Sequence, residues 1–209
     1  YIAFEYQVRG WYSDGGQIDA GGRMDMSDVS DIITYIESMT SSWNVNSGRI
    51  AMCGISLGAG IALLSAAHDQ RITATLSLSG WSNLTQMIYD VETPNLAWGK
   101  LLELSANLVG HPSAALTELL NDVLNHQNMS FMYSYTAERS PATWLDRFNS
   151  RKIPVLLSQN YVDRLFRPQH TANFFERLQG PKYLLLNRGG HAEAEIPGLI
   201  LDHTFIWTK

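Results

Sequence analysis

The stretch Gly54–Gly58, with the sequence GISLG, constrains the fold more than any other part of the chain. A short apolar run, Ile50 to Ile55, leads into its serine, and a run rich in Ala and Leu follows it. Strand, tight turn and helix in this order are the setting in which G-x-S-x-G forms a nucleophile elbow. Glycine is expected at both outer positions because a side chain there would collide with the strand or with the start of the helix. The alternative is a glycine-rich turn with an idle serine.

Two groups in this turn are predicted to take part in chemistry. Ser56 would present its hydroxyl at the carboxyl end of a sheet, where it could act as a nucleophile. Leu57 would begin the helix, so its backbone N–H would lie at a helix N-terminus. Such a position stabilises negative charge, and Leu57 is therefore the predicted oxyanion donor.

Composition excludes several classes of protein. The chain has 209 residues, of which 45% are hydrophobic and 17% charged, which fits one globular domain with a core of its own. A net charge of −5 argues against a nucleic-acid partner and against an anionic membrane surface. No apolar run reaches the length of a membrane span, so no membrane partner is predicted.

The chain has a single cysteine, Cys53, which rules out a disulfide within the chain. This favours a reducing, cytoplasmic compartment, with secretion as the alternative. Cys53 lies in the apolar run before the elbow and is predicted to be a small core residue rather than a nucleophile.

Apolar runs elsewhere predict further strands separated by helices. The predicted strands are Tyr1–Val8, Ile72–Ser79, Ile153–Ser158 and Lys182–Leu186, and the predicted helices begin at Asp25, Gln169 and Pro197, the last running to Trp207. Short strands buried on both faces and separated by helices indicate a mainly parallel α/β sheet with right-handed crossovers.

Residues 82–150 interrupt the alternation of strands and helices. This part contains helical stretches, Leu96–Leu108 and Ala114–Leu124, and no strong strand. We interpret it as a helical insertion that forms a lid over the sheet ends, or alternatively as a packed helical subdomain. Trp81, just before the insertion, is the predicted substrate-binding residue, although an aromatic side chain near a sheet end more often belongs to the core.

A serine nucleophile needs a base, and the base needs an orienting acid. Where an elbow follows an early strand, the chain order is serine, acid, histidine, with the last two after late strands. Asp163 follows the strand Ile153–Ser158, and His191 follows the strand Lys182–Leu186 after two glycines. The predicted triad is Ser56, Asp163 and His191. The alternatives are that Asp163 is a turn residue or pairs with Arg164, and that His191 is a surface residue.

These passages together resemble the α/β-hydrolase superfamily. The resemblance is closer to the Xaa-Pro dipeptidyl-peptidases and cocaine-esterase-like acyl hydrolases. It rests on the passages YIAFEYQVRGWYSDGG, WNVNSGRIAMCGISLGAG, DQRITATLSLSGWSNL, ERSPATWLDRFNSRKIPVLLSQNYVDRLFRP and LQGPKYLLLNRGGH. It implies the same triad of Ser56, Asp163 and His191. It also implies hydrolysis of a small-molecule ester, amide or peptide through an acyl-enzyme. The insertion from about Thr85 to Tyr135 carries no resemblance.

Compared with this family, we expect the N-terminal strands to be missing from residues 1–209. The family has three strands before the passage at Tyr1–Val8, and the loop after the third supplies a second oxyanion donor. We therefore expect residues 1–209 to form an α/β-hydrolase domain that is incomplete at its N-terminus, with a missing segment or a partner chain completing the sheet.

Two other functions remain open from the sequence. One is a non-catalytic binding or scaffold protein that keeps the triad as a relic, and the other is an acyltransferase or thioesterase on the same fold. The sequence has no cluster with metal-ligand spacing and no phosphate-binding glycine loop, so we predict neither a metal nor a cofactor.

Overall fold

The structure, a computed structural model, describes residues 2–193, and the helix predicted over Pro197–Trp207 lies outside this range. In chain order its elements are α1 (Arg23–Ser38), α2 (Thr40–Trp43), β1 (Ile50–Ile55), α3 (Leu57–His68), β2 (Ile72–Leu78), α4 (Leu84–Ile88), β3 (Tyr89–Asp90), β4 (Thr93–Pro94), α5 (Leu96–Val109), α6 (Ala114–Asn125), α7 (Met129–Glu138), a 3-10 turn (Pro141–Trp144), α8 (Leu145–Arg151), β5 (Val155–Asn160), α9 (Pro168–Arg177) and β6 (Lys182–Asn187).

The central sheet of the described part has the strand order β1-β2-β5-β6, and each neighbouring pair is parallel. Its strands lie within two residues of the bounds predicted from the apolar runs, and β1 matches them at both ends. The predicted parallel α/β sheet is therefore confirmed. The two-residue strands β3 and β4 form a separate antiparallel pair inside the insertion.

One face of the sheet packs against α1, α3, α8 and α9. Val29 of α1, Ile61 of α3, Phe148 of α8 and Phe174 of α9 lie in one buried cluster with Val155 of β5. Full burial of a side chain of this size contributes about 1.5–3 kcal/mol. This packing fixes α3, and with it the turn that carries Ser56, against the sheet.

The insertion forms a second buried cluster from its helices. Leu84 of α4, Leu116 of α6 and Met132 of α7 lie in it together with Trp81, which follows β2, and Phe166, which follows β5. Because residues that follow parallel strands lie at the carboxyl edge of the sheet, the insertion sits at that edge. Its function as a lid, and its limits at residues 82–150, stay predictions.

The strand predicted over Tyr1–Val8 is wrong for residues 2–8, the part of it that is described. A strand requires a neighbour that supplies ladder hydrogen bonds, and β1 pairs with β2 but with no other described strand. Tyr6 and Val8 instead pack their side chains against the cluster beneath the sheet.

The prediction that Cys53 is a core residue is also wrong, because its side chain is exposed. Side chains of β1 alternate between half-buried and exposed positions, and Cys53 occupies one of the exposed positions. Its register partner Leu76, on β2 and flanked by strands on both sides, is buried. The difference follows from the place of β1 at the edge of the described sheet. Among the described helices, none has the length and apolar character that crossing a bilayer requires.

Candidate active site

The turn from β1 into α3 holds Ser56 in an unusual backbone conformation. Its φ is +54° and its ψ is −115°, a region that non-glycine residues avoid. The turn is held in place because the Ser56 N–H donates to the carbonyl of Leu78 at 2.9 Å. Such a conformation costs about 1–3 kcal/mol and occurs mainly at functional sites, where the surrounding structure imposes it.

The glycines around Ser56 do not contribute equally. A methyl group at Gly54 would overlap the backbone of Gly58, so Gly54 is required. A methyl group at Gly58 would meet nothing within 4 Å, so the prediction that both glycines prevent a collision is wrong for Gly58. The second close approach is at Gly60, where a methyl group would overlap the indole ring of Trp81.

The structure brings Ser56, Asp163 and His191 together. His191 Nε2 lies 2.7 Å from Ser56 Oγ. His191 Nδ1 lies 2.9 Å from Asp163 Oδ2. Because a carboxylate can only accept, Nδ1 carries the proton and Nε2 accepts from the serine hydroxyl. A base in this tautomer can take the hydroxyl proton when the oxygen attacks a carbonyl.

Asp163 is fixed by donors on every side. Its side chain is fully buried. Oδ1 accepts from the backbone N–H of Leu165 at 2.8 Å and of Phe166 at 2.9 Å. Oδ2 accepts from Gln159 Nε2 at 2.9 Å. Asp163 therefore holds its own turn together, which is one alternative that the sequence offered, and it contacts His191 at the same time.

The loop that carries His191 needs glycine at one position. Gly189 has a φ of +151°, which glycine adopts more readily than other residues, and its carbonyl accepts from the N–H of Val162 at 3.0 Å. Phe166 packs against the His191 ring at an interplanar angle of 79°, with the ring centroids 5.0 Å apart. The imidazole is thus held between a carboxylate, a hydroxyl and an aromatic edge.

Sequence reasoning missed a layer of supporting polar residues. Gln159 bonds both the Asp163 carboxylate and, at 2.8 Å, the carbonyl of Phe166. Ser79 Oγ accepts from Asn160 Nδ2 at 2.8 Å and from the Ala192 N–H at 3.3 Å, which ties the histidine loop to the sheet. The signal that could have found them is a polar residue at or just beyond the end of an otherwise apolar buried strand.

The predicted oxyanion donor, Leu57, is the first residue of α3. An N–H at the first helical position has no acceptor within the helix. Leu57 also follows Ser56 directly in the chain. The position of Leu57 is the one that the sequence predicts for an oxyanion donor.

A cavity of about 140 Å³ lies beside Ser56. Its lining residues are Trp11, Ala20, Ser56, Leu57, Trp81, Leu101, Leu102, Ser105, Leu165 and Phe166. Trp81, the predicted substrate-binding residue, forms part of the wall with only 2% of its surface exposed. Its indole N–H donates to the carbonyl of Arg139 at 2.8 Å. Two larger cavities, of about 350 and 330 Å³, contain no member of the triad.

The model of the family described as X-Pro dipeptidyl-peptidase (S15 family) matches residues 1–193. A search of the curated proteins gave no match.

Several solved structures share the fold. An acylaminoacyl peptidase of Pyrococcus horikoshii superposes with a TM-score of 0.60 at 16% identity, over 87% of this chain and 26% of that one. An alpha/beta hydrolase, GrgF, of Penicillium sp. sh18 gives 0.62 at 18% identity, over 98% and 78%. An esterase of Pyrococcus furiosus gives 0.57 at 17% identity, over 93% and 64%.

The similarity to these structures confirms the α/β-hydrolase fold. The chain spans about a quarter of the length of the acylaminoacyl peptidase that it matches. At sequence identities this low, the similarity shows the fold alone.

Proposed function

Because this chain belongs to the X-Pro dipeptidyl-peptidase family, we propose that it is a serine hydrolase that cleaves an ester or amide bond through an acyl-enzyme. The observation that carries the proposal is the unbroken set of hydrogen bonds from Ser56 through His191 to Asp163, at 2.7 and 2.9 Å. A scaffold with a relic triad would have no need to keep this alignment.

Each residue has a defined role in the proposed reaction. Ser56 Oγ attacks the substrate carbonyl while His191 Nε2 removes its proton. Asp163, buried and bonded to Nδ1, holds the imidazole in the required tautomer and stabilises its charged form. His191 then gives its proton to the leaving group. In the second half of the reaction the same base activates water to release the acyl group from Ser56.

The tetrahedral intermediate needs hydrogen-bond donors for its oxyanion. We assign the Leu57 N–H as one donor, because it lies at the start of α3 directly after the nucleophile. Loss of a single donor typically lowers kcat by about 10²–10³. A second donor is not assigned among the described residues.

The proposed substrates are small esters, amides or short peptides. The names of similar structures, an acylaminoacyl peptidase and an esterase, agree with this range. Trp81 is proposed as a substrate contact because it lines the cavity beside Ser56.

Hydrolysis of p-nitrophenyl butyrate and of an Xaa-Pro p-nitroanilide tests the proposal. Replacement Ser56→Ala is expected to lower kcat/KM by at least about 10³-fold, as loss of a triad nucleophile does. Ser38→Ala is the matched control, because Ser38 is exposed at the end of α1 and bonds only the Tyr35 carbonyl in the described structure. Equal rates for Ser56→Ala and Ser38→Ala would refute the proposal. Ester formation with added methanol, in place of free acid, would instead indicate an acyltransferase.

A further inference from the structure

We infer that the cavity beside Ser56 is an acyl pocket for a compact, uncharged and apolar group, and that helix α5 sets its size limit. The inference rests on the proposed function, since an acyl group must be held beside the nucleophile.

The position of the cavity assigns it to the acyl side of the substrate. Its lining includes Ser56 and Leu57 but not His191. The leaving group must receive its proton from His191 Nε2, so it departs on the histidine side. The acyl group stays on Ser56 with its oxyanion toward Leu57. Its carbon chain therefore extends into the cavity, which lies on the same side as Leu57.

The chemistry of the lining selects against charge. None of the described residues that line the cavity carries a charge at neutral pH. The hydroxyl of Ser105 donates to the Leu101 carbonyl at 2.7 Å, and the Trp81 N–H donates to Arg139, so both donors are used within the protein. The Trp11 N–H has no partner among the described residues, but it is covered by protein and offers the cavity no polar surface. A carboxylate or ammonium in such a space would lose its hydration without compensation.

The volume limits the size of the group. A cavity of about 140 Å³ is close to the roughly 150 Å³ that holds one benzene molecule in an apolar protein interior. The pocket therefore has room for about six carbon atoms beyond the carbonyl. A butanoyl group fits, whereas the nine further carbons of a decanoyl group do not.

The wall that sets this limit comes from the insertion. Leu101, Leu102 and Ser105 all belong to α5 and line the cavity. Leu102 is half-buried and packs against the cluster of the insertion, so its side chain is held in place. Leu104 lies on the same helix with 57% of its surface exposed and does not line the cavity. The two leucines form a matched pair for testing the wall.

The test compares kcat/KM for p-nitrophenyl butyrate and p-nitrophenyl decanoate, each below its micelle concentration. The wild-type protein should favour butyrate by at least about tenfold, given that one methylene in an apolar pocket changes the rate by 10–200-fold. Leu102→Ala should reduce this ratio at least about fivefold, and Leu102→Phe should increase it. Leu104→Ala should leave it within twofold of the wild type. The ratio does not depend on how much of a variant is folded.

A ratio in Leu102→Ala equal to that in Leu104→Ala overturns the inference, as does equal use of both esters by the wild type. Failure of the proposed function has a different signature, namely no Ser56-dependent turnover of either ester. In that case the pocket is tested by measuring the binding of the two esters to Ser56→Ala. Tryptophan fluorescence detects this binding because Trp11 and Trp81 line the pocket. Tighter binding of the butyrate ester than of the decanoate ester, with a smaller preference when Leu102→Ala is added, supports the acyl pocket even then. Equal binding of the two esters refutes it.

Discussion

Replacing Asp25 by asparagine should remove a strong pH dependence from the stability of this protein. Asp25 lies in the first turn of α1 with 3% of its surface exposed. Its Oδ2 accepts from the N–H groups of Gly21 and Gly22 at 2.8 and 3.2 Å. Its Oδ1 is buried and has no partner among the described residues. Burial raises the pKa of this carboxyl from 3.8 to about 6.

The sign and size of the effect follow from that pKa. Because the folded state holds the proton more tightly than the unfolded state, the protonated carboxyl favours folding below about pH 4, and this contribution is lost as pH rises to about 6. A difference of about 2 in pKa corresponds to about 3 kcal/mol in the free energy of unfolding. Asparagine stays neutral and can still accept a backbone N–H bond, so the variant should lack this loss.

Urea unfolding followed by tryptophan fluorescence at steps between pH 4 and pH 7.5 measures the effect. Relative to the wild type, Asp25→Asn should gain about 3 kcal/mol between pH 4 and pH 7. Asp31→Asn is the control, because Asp31 lies on the same helix with its side chain exposed. A difference between Asp25→Asn and wild type that does not change with pH would refute the assignment of a buried, neutralised carboxyl.

Two further predictions concern the elbow and the triad. Gly54→Ala should lower the free energy of unfolding by at least about 3 kcal/mol or prevent folding, since its methyl group would overlap Gly58. Gly58→Ala should leave stability unchanged or raise it by up to about 1 kcal/mol, because alanine favours the helix more than glycine does. Thermal unfolding of both variants measures the difference, and an equal loss of stability in the two would contradict the prediction. Asp163→Asn should leave the fold intact but lower kcat by about 10³–10⁴-fold, because an amide that donates to His191 Nδ1 favours the wrong tautomer. A decrease in kcat of less than tenfold, with an unchanged far-UV circular dichroism spectrum, would argue against the triad.

The sheet could be predicted from the sequence because its strands are locally defined. β1, β2, β5 and β6 are short apolar runs bounded by turn residues, and their order along the chain with helices between them requires parallel pairing. The residues that follow these strands must then meet at one edge. This geometry is why Ser56, Asp163 and His191, distant in sequence, could be named together as a predicted site.

The errors arose where the outcome depends on neighbours rather than on the local sequence. Residues 2–8 have the composition of a strand, but ladder hydrogen bonds need a partner, which the described structure does not place beside them. Cys53 lies in an apolar run, yet it is exposed because β1 is an edge strand in the described sheet. Gly58 has the motif position of a required glycine, but the space around it is open.

The sequence marks the polar residues behind the triad only by their place at strand ends, and it does not indicate what they contact. Gln159 reaches Asp163 only because the loop after β5 folds back over the strand end. Ser79 accepts from Asn160, the last residue of β5, and from Ala192 of the histidine loop, which lie far apart in sequence. The acyl pocket combines Trp11, Trp81 and residues of α5, and no local pattern links these segments. Such contacts depend on tertiary packing, whereas the motif around Ser56 is contiguous.

Reaction with a fluorophosphonate probe tests the central claim most directly, because only an activated serine forms the adduct. Intact-mass spectrometry should show one adduct per wild-type chain, no adduct on Ser56→Ala, and much slower labelling of Asp163→Asn, in keeping with the hydrogen bonds from Ser56 through His191 to Asp163. Absence of an adduct on the wild-type chain, or an adduct that persists in Ser56→Ala, would contradict the account.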